Sequence, residues 1–496
     1  MRRSALILLV VLVGSLLILL PSVLAASPSE YAGSQACRMC HSTQYNEWKD
    51  TVHGRFVVDA AENPEAVPGE YEHWSNLLGF DKEDVRFVLL SKPGFLTTSE
   101  LVGQKGTFGV PADDYPILWG AWDFAKNEWE IEAESYNNGT PWLSVCAGCH
   151  VTGLQVPTEA TPDVARSFVE GGITCENCHG PAKAHVENPT KVKPVVDVSA
   201  VNCGQCHERG ASVATKPGGG TFGYPYGVDG QYRPGQDLAA YYVTATPELY
   251  PNWFWPTGHA KNSHHMQFPE WLMTGHAKAA DSIKNSDHGR ESCLECHSAD
   301  YILAPENAKP SVAEVNNGIT CQVCHDSHNP TKLVASEDEL CQMCHRDESN
   351  GDINKTPHHS TAQLFAGSVH DQAGVTCVDC HMPKVTGNPH KGSHLMQVVI
   401  PEEAAEYNMP DSCTPCHGAS LEYLQAQIDK RQDEIKVLAD RVKSLLDRYE
   451  GDKDHTYYKQ AKYNYQFVLA DGSMGFHNYQ KSVRLLKEAQ SLLLQL

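Results

Sequence analysis

The chain has 496 residues, 41% of them hydrophobic and 20% charged, a composition that fits a folded chain of two to four units at roughly 150 residues per domain. Acidic residues outnumber basic ones 61 to 39, for a formal charge of −22, which excludes a nucleic-acid partner because such binding draws its affinity from clustered cations. Eighteen cysteines exclude an ordinary reducing compartment unless every thiol has metal, catalytic or attachment work to do.

The amino terminus decides the compartment. Met1-Arg2-Arg3 precedes an apolar run from Ala5 to Leu20, and Val23-Leu24-Ala25-Ala26 places small residues at a cleavage site. This reads as a cleaved signal peptide over residues 1–26. An uncleaved anchor is the rival reading, since the stretch approaches the ~20 residues that span a bilayer. Either reading places the rest of the chain outside the cytoplasm, in the periplasm or on the outer face of the membrane.

From there on, every cysteine falls into one pattern, Cys-x-x-Cys-His. It occurs at Cys37/Cys40/His41, Cys146/Cys149/His150, Cys175/Cys178/His179, Cys203/Cys206/His207 and Cys293/Cys296/His297. It continues at Cys321/Cys324/His325, Cys341/Cys344/His345, Cys377/Cys380/His381 and Cys413/Cys416/His417. Two thiols at this spacing add to the two vinyl groups of a haem, and the adjacent imidazole becomes the axial ligand. The pattern therefore predicts nine covalently bound haems c, with the nine motif histidines proximal to iron. Structural zinc joins pairs of Cys-x-x-Cys units and has no need of the histidine. With so many haems to wrap, the predicted fold is mainly α with long irregular loops and little sheet, the porphyrins standing in for a conventional core.

Sixteen further histidines are available as distal ligands, from a total of 25. Glu47-Trp48-Lys49-Asp50-Thr51-Val52-His53 and Glu270-Trp271-Leu272-Met273-Thr274-Gly275-His276 share Glu, Trp, Thr and His at identical spacing, which singles out His53 and His276. Thr257-Gly258-His259-Ala260-Lys261 echoes part of that phrase and adds His259. His185, six residues past His179, and His328, three past His325, complete this group. His73, His288 and His455 read as surface or hydrogen-bonding residues.

The cysteines form two groups separated by a Gly/Pro/Tyr-rich stretch from Lys216 to Gly235, a composition that punctuates structure. The expected organisation is a tetrahaem module over residues 27–235, a pentahaem module over 236–420 and a helical segment over 421–496. In the last, Leu421, Leu424, Ile428, Ile435, Leu438, Val442, Leu445 and Tyr449 recur at helical steps, interrupted at Arg431-Gln432, and a second apolar run covers Val483 to Leu496. This predicts a long amphipathic helix and a packed partner.

Three stretches carry a family resemblance: Cys37-Arg38-Met39-Cys40-His41 with Tyr45, Trp48 and His53; Cys146-Ala147-Gly148-Cys149-His150; and Ile173-Thr174-Cys175-Glu176-Asn177-Cys178-His179-Gly180-Pro181. Together they resemble the tetrahaem cytochrome modules related to the electron carrier of hydroxylamine oxidation. The second half, through His359, His370, Val375 to Lys384, His394 and Ser412 to His417, resembles cytochrome c nitrite reductase and its octahaem relatives. That resemblance implies His370 as distal partner of His417, His394 of His325, and His477 of His381. It also implies a catalytic role for His359 beside the haem at His297, the alternative being that His359 or another histidine such as His328 ligates that iron and makes the site a relay. The reductase holds its catalytic haem by lysine and keeps a tyrosine after its third motif, whereas this chain has His297 and Cys344-His345-Arg346-Asp347-Glu348 at those places.

The reading that follows is an electron relay between a membrane-associated donor and a terminal acceptor, working through redox partner proteins. The alternative is a reductase or oxidoreductase acting on a small nitrogen or sulfur compound, of the nitrite, hydroxylamine or tetrathionate kind, at one open haem. Carboxy-terminal helices form the dimer interface in nitrite reductases, so the resemblance also implies a homodimer through these helices; the alternative is a helical hairpin packed on its own haem domain.

Overall fold

The computed structural model describes residues 30–69, 79–89, 98–123, 126–130, 139–158, 161–214, 223–228, 230–261, 265–386 and 391–496. The amino-terminal signal or anchor segment and His73 lie outside the described residues. Among those described, no helix is long and apolar enough to cross a membrane.

The first half departs from the expectation of little sheet. Strands β1 (Val57–Asp59), β2 (Val85–Leu89), β3 (Thr98–Gly103), β4 (Pro116–Asp123) and β5 (Glu128–Glu130) form an antiparallel sheet in chain order, and β6 (Thr140–Pro141) adds to β4. Side chains alternate across the pleat. Phe87, Leu89, Val102 and Ile117 face a core with Trp142, Leu143, Tyr224 and Tyr226. Val85, Val88, Leu101 and Leu118 face the other way and are covered by Val67 and Phe80. With apolar residues on both faces, these strands read as continuous hydrophobic runs rather than alternating ones, which hides the strand period. A conventional core thus exists here alongside the motif-bearing loops.

The sheet's inner face packs on the second motif, whose Ala147, Cys146 and Cys149 belong to the same cluster. Gly148 has to be glycine at this contact, because a Cβ there would lie 2.1 Å from the Tyr224 ring. Two short strands, Gly210–Ser212 and Tyr242–Thr244, pair antiparallel on either side of residue 235. Tyr232, Tyr241, Tyr242 and Phe268 share one buried cluster there.

Most motifs sit on single helical turns, which bring the two thiols, three residues apart, to one face. Cys175–His179 and Cys377–His381 are such turns. Each opens on a threonine capping box, Thr174 with Asn177 and Thr376 with Asp379.

The tail forms three helices, α1 (Leu421–Arg448), α2 (Thr456–Ala470) and α3 (Tyr479–Leu493). The expected pair is present, with α2 packed as a third member. The break at Arg431-Gln432 does not interrupt α1; Gln432 instead donates to the Ser473 carbonyl at 3.1 Å. Ile435, Leu438, Val442, Ala461, Val468, Leu486 and Ala489 fill the seam.

Candidate functional site

Each motif histidine faces a second imidazole. Two imidazoles trans on one metal, each about 2 Å from it, have ring centres about 6 Å apart. In the first half, His41 faces His185 at 6.3 Å, His150 faces His265 at 6.4 Å, His179 faces His328 at 6.5 Å and His207 faces His53 at 6.1 Å. In the second, His297 faces His359 at 6.0 Å, His325 faces His394 at 6.4 Å and His345 faces His276 at 6.0 Å. The last two pairs are His381 with His477 at 6.0 Å and His417 with His370 at 6.1 Å.

The Glu-Trp-x-x-x-x-His phrase explains two of these placements. Trp48 Nε1 donates to the Ile173 carbonyl at 2.8 Å, and Trp271 Nε1 donates to the Ile319 carbonyl at 2.7 Å. Each isoleucine lies two residues before a motif cysteine, Cys175 or Cys321. The Thr51 and Thr274 hydroxyls close the turn by donating to the tryptophan carbonyl, both at 2.7 Å. The backbone N–H groups of Ile173 and Ile319 then donate to the carbonyls of His53 and His276 at 3.0 and 2.9 Å. Each phrase therefore docks on one motif and presents its histidine to the next, at His207 and His345.

His259 does not reach a motif histidine. Its Nδ1 meets the Thr257 hydroxyl at 2.9 Å and its Nε2 meets the Gln397 carbonyl at 3.1 Å, so both nitrogens are engaged. Its phrase has tryptophan four residues before the histidine, at Trp255, where the docking phrases have it five before. His265 takes the remaining place and was missed by sequence reasoning; its only signal is the His264-His265 doublet just ahead of the second docking phrase. His185 and His328 face His41 and His179, not the motifs nearest them in sequence. His288 and His455 are exposed.

At several of these rings burial favours the neutral form, the one that binds a metal. It pushes His53 down to about 3 and His150 down to about 4. His276, His359 and His394 are likewise brought to about 4, chiefly by burial, with neighbouring imidazoles adding to it. The Nδ1 atoms of His179, His185 and His325 meet backbone carbonyls at 2.7 to 2.8 Å, which fixes ring orientation and leaves Nε2 for iron.

All nine motif histidines and fifteen of the motif cysteines line one continuous cavity of about 2820 Å³. Paired imidazoles, thiols on one face of a turn and a cavity joining them fit haem c. The motifs also touch one another. Thiol contacts join Cys37 to Cys175, Cys203 to Cys321, Cys341 to Cys377, Cys206 to Cys149 and Cys296 to Cys344. Cys178 with Cys206, Cys324 with Cys341 and Cys380 with Cys416 are close enough to interact electrostatically.

At His297 the distal side is crowded. His359, in a left-handed backbone conformation (φ 52°), has its ring 3.9 Å from that of exposed His358, and ligating nitrogens of all three histidines lie within 4.8 Å of one another. Beyond them Asp347 is buried and accepts a hydrogen bond from Tyr463 of α2 at 2.9 Å. The tail thereby supplies a tyrosine to the loop that follows this chain's seventh motif.

The outer cell wall cytochrome OcwA, whose crystal structure is known, is 49% identical over 94% of this chain and 100% of its own, with a TM-score of 0.90. The chain is a multihaem c-type cytochrome of that family. The cytochrome c552 family model matches residues 345–493. Cytochrome c554 and c-prime matches residues 36–74, 121–180 and 259–326, and a doubled CXXCH motif matches residues 313–350. This cytochrome also shares its fold with the undecaheme cytochrome from the S-layer of Carboxydothermus ferrireducens, at 22% identity and a TM-score of 0.62 over 95% of this chain and 70% of that one. The cytochrome c nitrite reductase subunit NrfA of Nitratidesulfovibrio vulgaris is 25% identical over 40% of this chain and 42% of its own length. Cytochrome c-552 of Haemophilus influenzae is 35% identical over 19% of this chain and 18% of its own. The chain thus spans less than half the length of these two curated relatives.

Proposed function

We propose that this cytochrome carries nine haems c and relays electrons outside the cytoplasm, between a membrane-associated donor and a terminal acceptor. The observation that carries the reading is that each of the nine motif histidines has a facing imidazole 6.0 to 6.5 Å away. Haem c supplies reversible one-electron iron chemistry when bound. The protein's part would be to hold each iron between paired imidazoles and to keep the motifs close together.

Thiol contacts and the electrostatic proximities between them favour one line of sites: the motifs at Cys37, Cys175, Cys203, Cys321, Cys341, Cys377 and Cys413, with the motif at Cys146 branching from Cys203 and that at Cys293 from Cys341. The line reaches the surface at both ends, where Cys40 and Cys416 are exposed. Two exposed termini suit a relay with one partner at each end. A cell-envelope location agrees with the name of the 49% identical relative, an outer cell wall cytochrome, and with the export signal at Met1 to Ala26.

Electron paramagnetic resonance of the oxidised protein, with a haem count per chain, tests the relay. Nine haems and only low-spin signals are expected; a high-spin ferric signal in fully matured protein would overturn complete coordination. A second reading, reduction of a small nitrogen or sulfur compound, is favoured by the exposed His358 beside His359 at the motif of Cys293 and Cys296. It would appear in the same experiment as one high-spin iron.

A further inference from the structure

The turn between α2 and α3 holds a buried carboxylate against one of the paired imidazoles. Asp471, whose side chain is fully buried, accepts a hydrogen bond from His477 Nδ1 at 2.6 Å. Its other oxygen takes the Ser473 backbone N–H at 3.3 Å and the Ser473 hydroxyl. The turn is tightly seated. Gly475 has φ 83°, and a Cβ there would lie 2.6 Å from Ile435 of α1. His477 in turn faces His381 at 6.0 Å, with the ring planes 40° apart.

This arrangement differs in kind from that of four other paired imidazoles. The Nδ1 groups of His179, His185, His325 and His394 meet backbone carbonyls at 2.7 to 3.1 Å. A carbonyl is a neutral dipole, whereas a carboxylate brings a full charge into a site of low dielectric. Drawing on the Nδ1 proton makes Nε2 a more basic ligand, and the charge favours the more positive, oxidised iron. Both effects lower the reduction potential.

We propose that Asp471 is a positioning residue that makes the site at His381 and His477 the lowest-potential one in the chain. The inference rests on the reading of His381 and His477 as an axial pair. The motif of Cys377 and Cys380 touches the motif before it through Cys341 and lies close enough to Cys416 of the motif after it to interact electrostatically. The low-potential site therefore lies within the carboxy-terminal limb of the line, one step from its exposed end, where it sets an energetic step for transfer in either direction.

The test is a spectroelectrochemical titration of the full-length, haem-loaded protein, with the near-infrared charge-transfer band of the low-spin ferric form as a second readout. Asp471→Asn keeps an acceptor oxygen and removes the charge. It is expected to move the lowest-potential component upward, shift the charge-transfer band of one haem, and leave the other components in place; Asp471→Glu should restore part of the original value. Unmoved components, or movement of a component other than the lowest, would overturn the proposal. Should Asp471→Asn fail to mature, Ser473→Ala serves instead: with one competing donor removed, more of the carboxylate's charge acts on His477, and the same component should move downward. No shift there would also overturn it. His477→Ala separates the two levels of the argument. A new high-spin signal supports the axial pair, so that a silent Asp471→Asn would then sink the tuning role alone, whereas an unchanged spectrum in His477→Ala would remove the pair itself.

Discussion

His179 and His328 stand face to face, their ring centres 6.5 Å apart and their planes 21° from parallel. One belongs to the third motif and the other to the loop after the sixth, so the two cysteine groups share a site. His150 and His265 repeat the relationship at 6.4 Å. A module holding only the first four motifs would lack an imidazole at two of them.

Replacing His328 by Ala is expected to convert one haem, that at Cys175 and Cys178, from low-spin to high-spin in the intact protein. The neighbouring site at Cys321 should keep its spectrum, because His394 faces His325 at 6.4 Å. Magnetic resonance of the oxidised variant checks this; loss of low-spin signal at the Cys321 site instead would return His328 to the motif nearest it in sequence.

The crowded site at His297 predicts unequal effects from two adjacent histidines. His359→Ala should change the spin state or potential of one haem, since His359 is the ring 6.0 Å from His297. His358→Ala should leave coordination intact, as that ring is exposed and lies tilted against His359, the ring paired with His297. The double variant should bind added cyanide or nitric oxide at one iron. Identical behaviour of the two single variants would contradict this assignment.

Leu486 is fully buried in the seam of the helical tail, against Ile435, Leu438 and Val442. Leu486→Ala is expected to cost about 2–5 kcal/mol, the usual range for a buried leucine truncated beside side chains that relax only partly. Denaturant unfolding followed by far-UV circular dichroism measures it. A cost below about 1 kcal/mol would mean the seam collapses around the gap.

Acid should loosen the link between the loop before β4 and the chain at Arg166. Burial opposes ionisation of Asp113, but the Arg166 backbone N–H and guanidinium outweigh it and hold the carboxyl below its ordinary value. A depressed carboxylate contributes stability above its unfolded value, about 3.9, and that stability is lost as pH falls through the lower folded value. The stability difference between the native chain and Asp113→Asn should therefore be full at neutral pH and shrink below about pH 4. A difference independent of pH would assign the effect to geometry rather than charge.

Attachment was legible in the chain because it is local. Two cysteines three residues apart and the next residue, histidine, lie within about one helical turn, whatever the rest of the molecule does. The long tail helix was legible for the same reason, since its apolar residues from Ile428 to Val442 repeat at its own period. His53 and His276 could be found because a whole docking phrase, tryptophan, threonine and histidine, is repeated with its spacing. His259 and His265 could not be sorted this way. Both are histidines in a loop, and only the packing gives one the Thr257 hydroxyl and Gln397 carbonyl while bringing the other to His150. The sheet was hidden because its two buried faces erase the alternation that marks a strand. The resemblance implied the pairs at His325, His381 and His417, but the partners of His41, His150, His179, His207 and His345, the crossing of His185 and His328 to distant motifs, and the carboxylate behind His477 were decided by tertiary structure alone, because each joins groups that the sequence keeps apart and only the folded chain brings within contact.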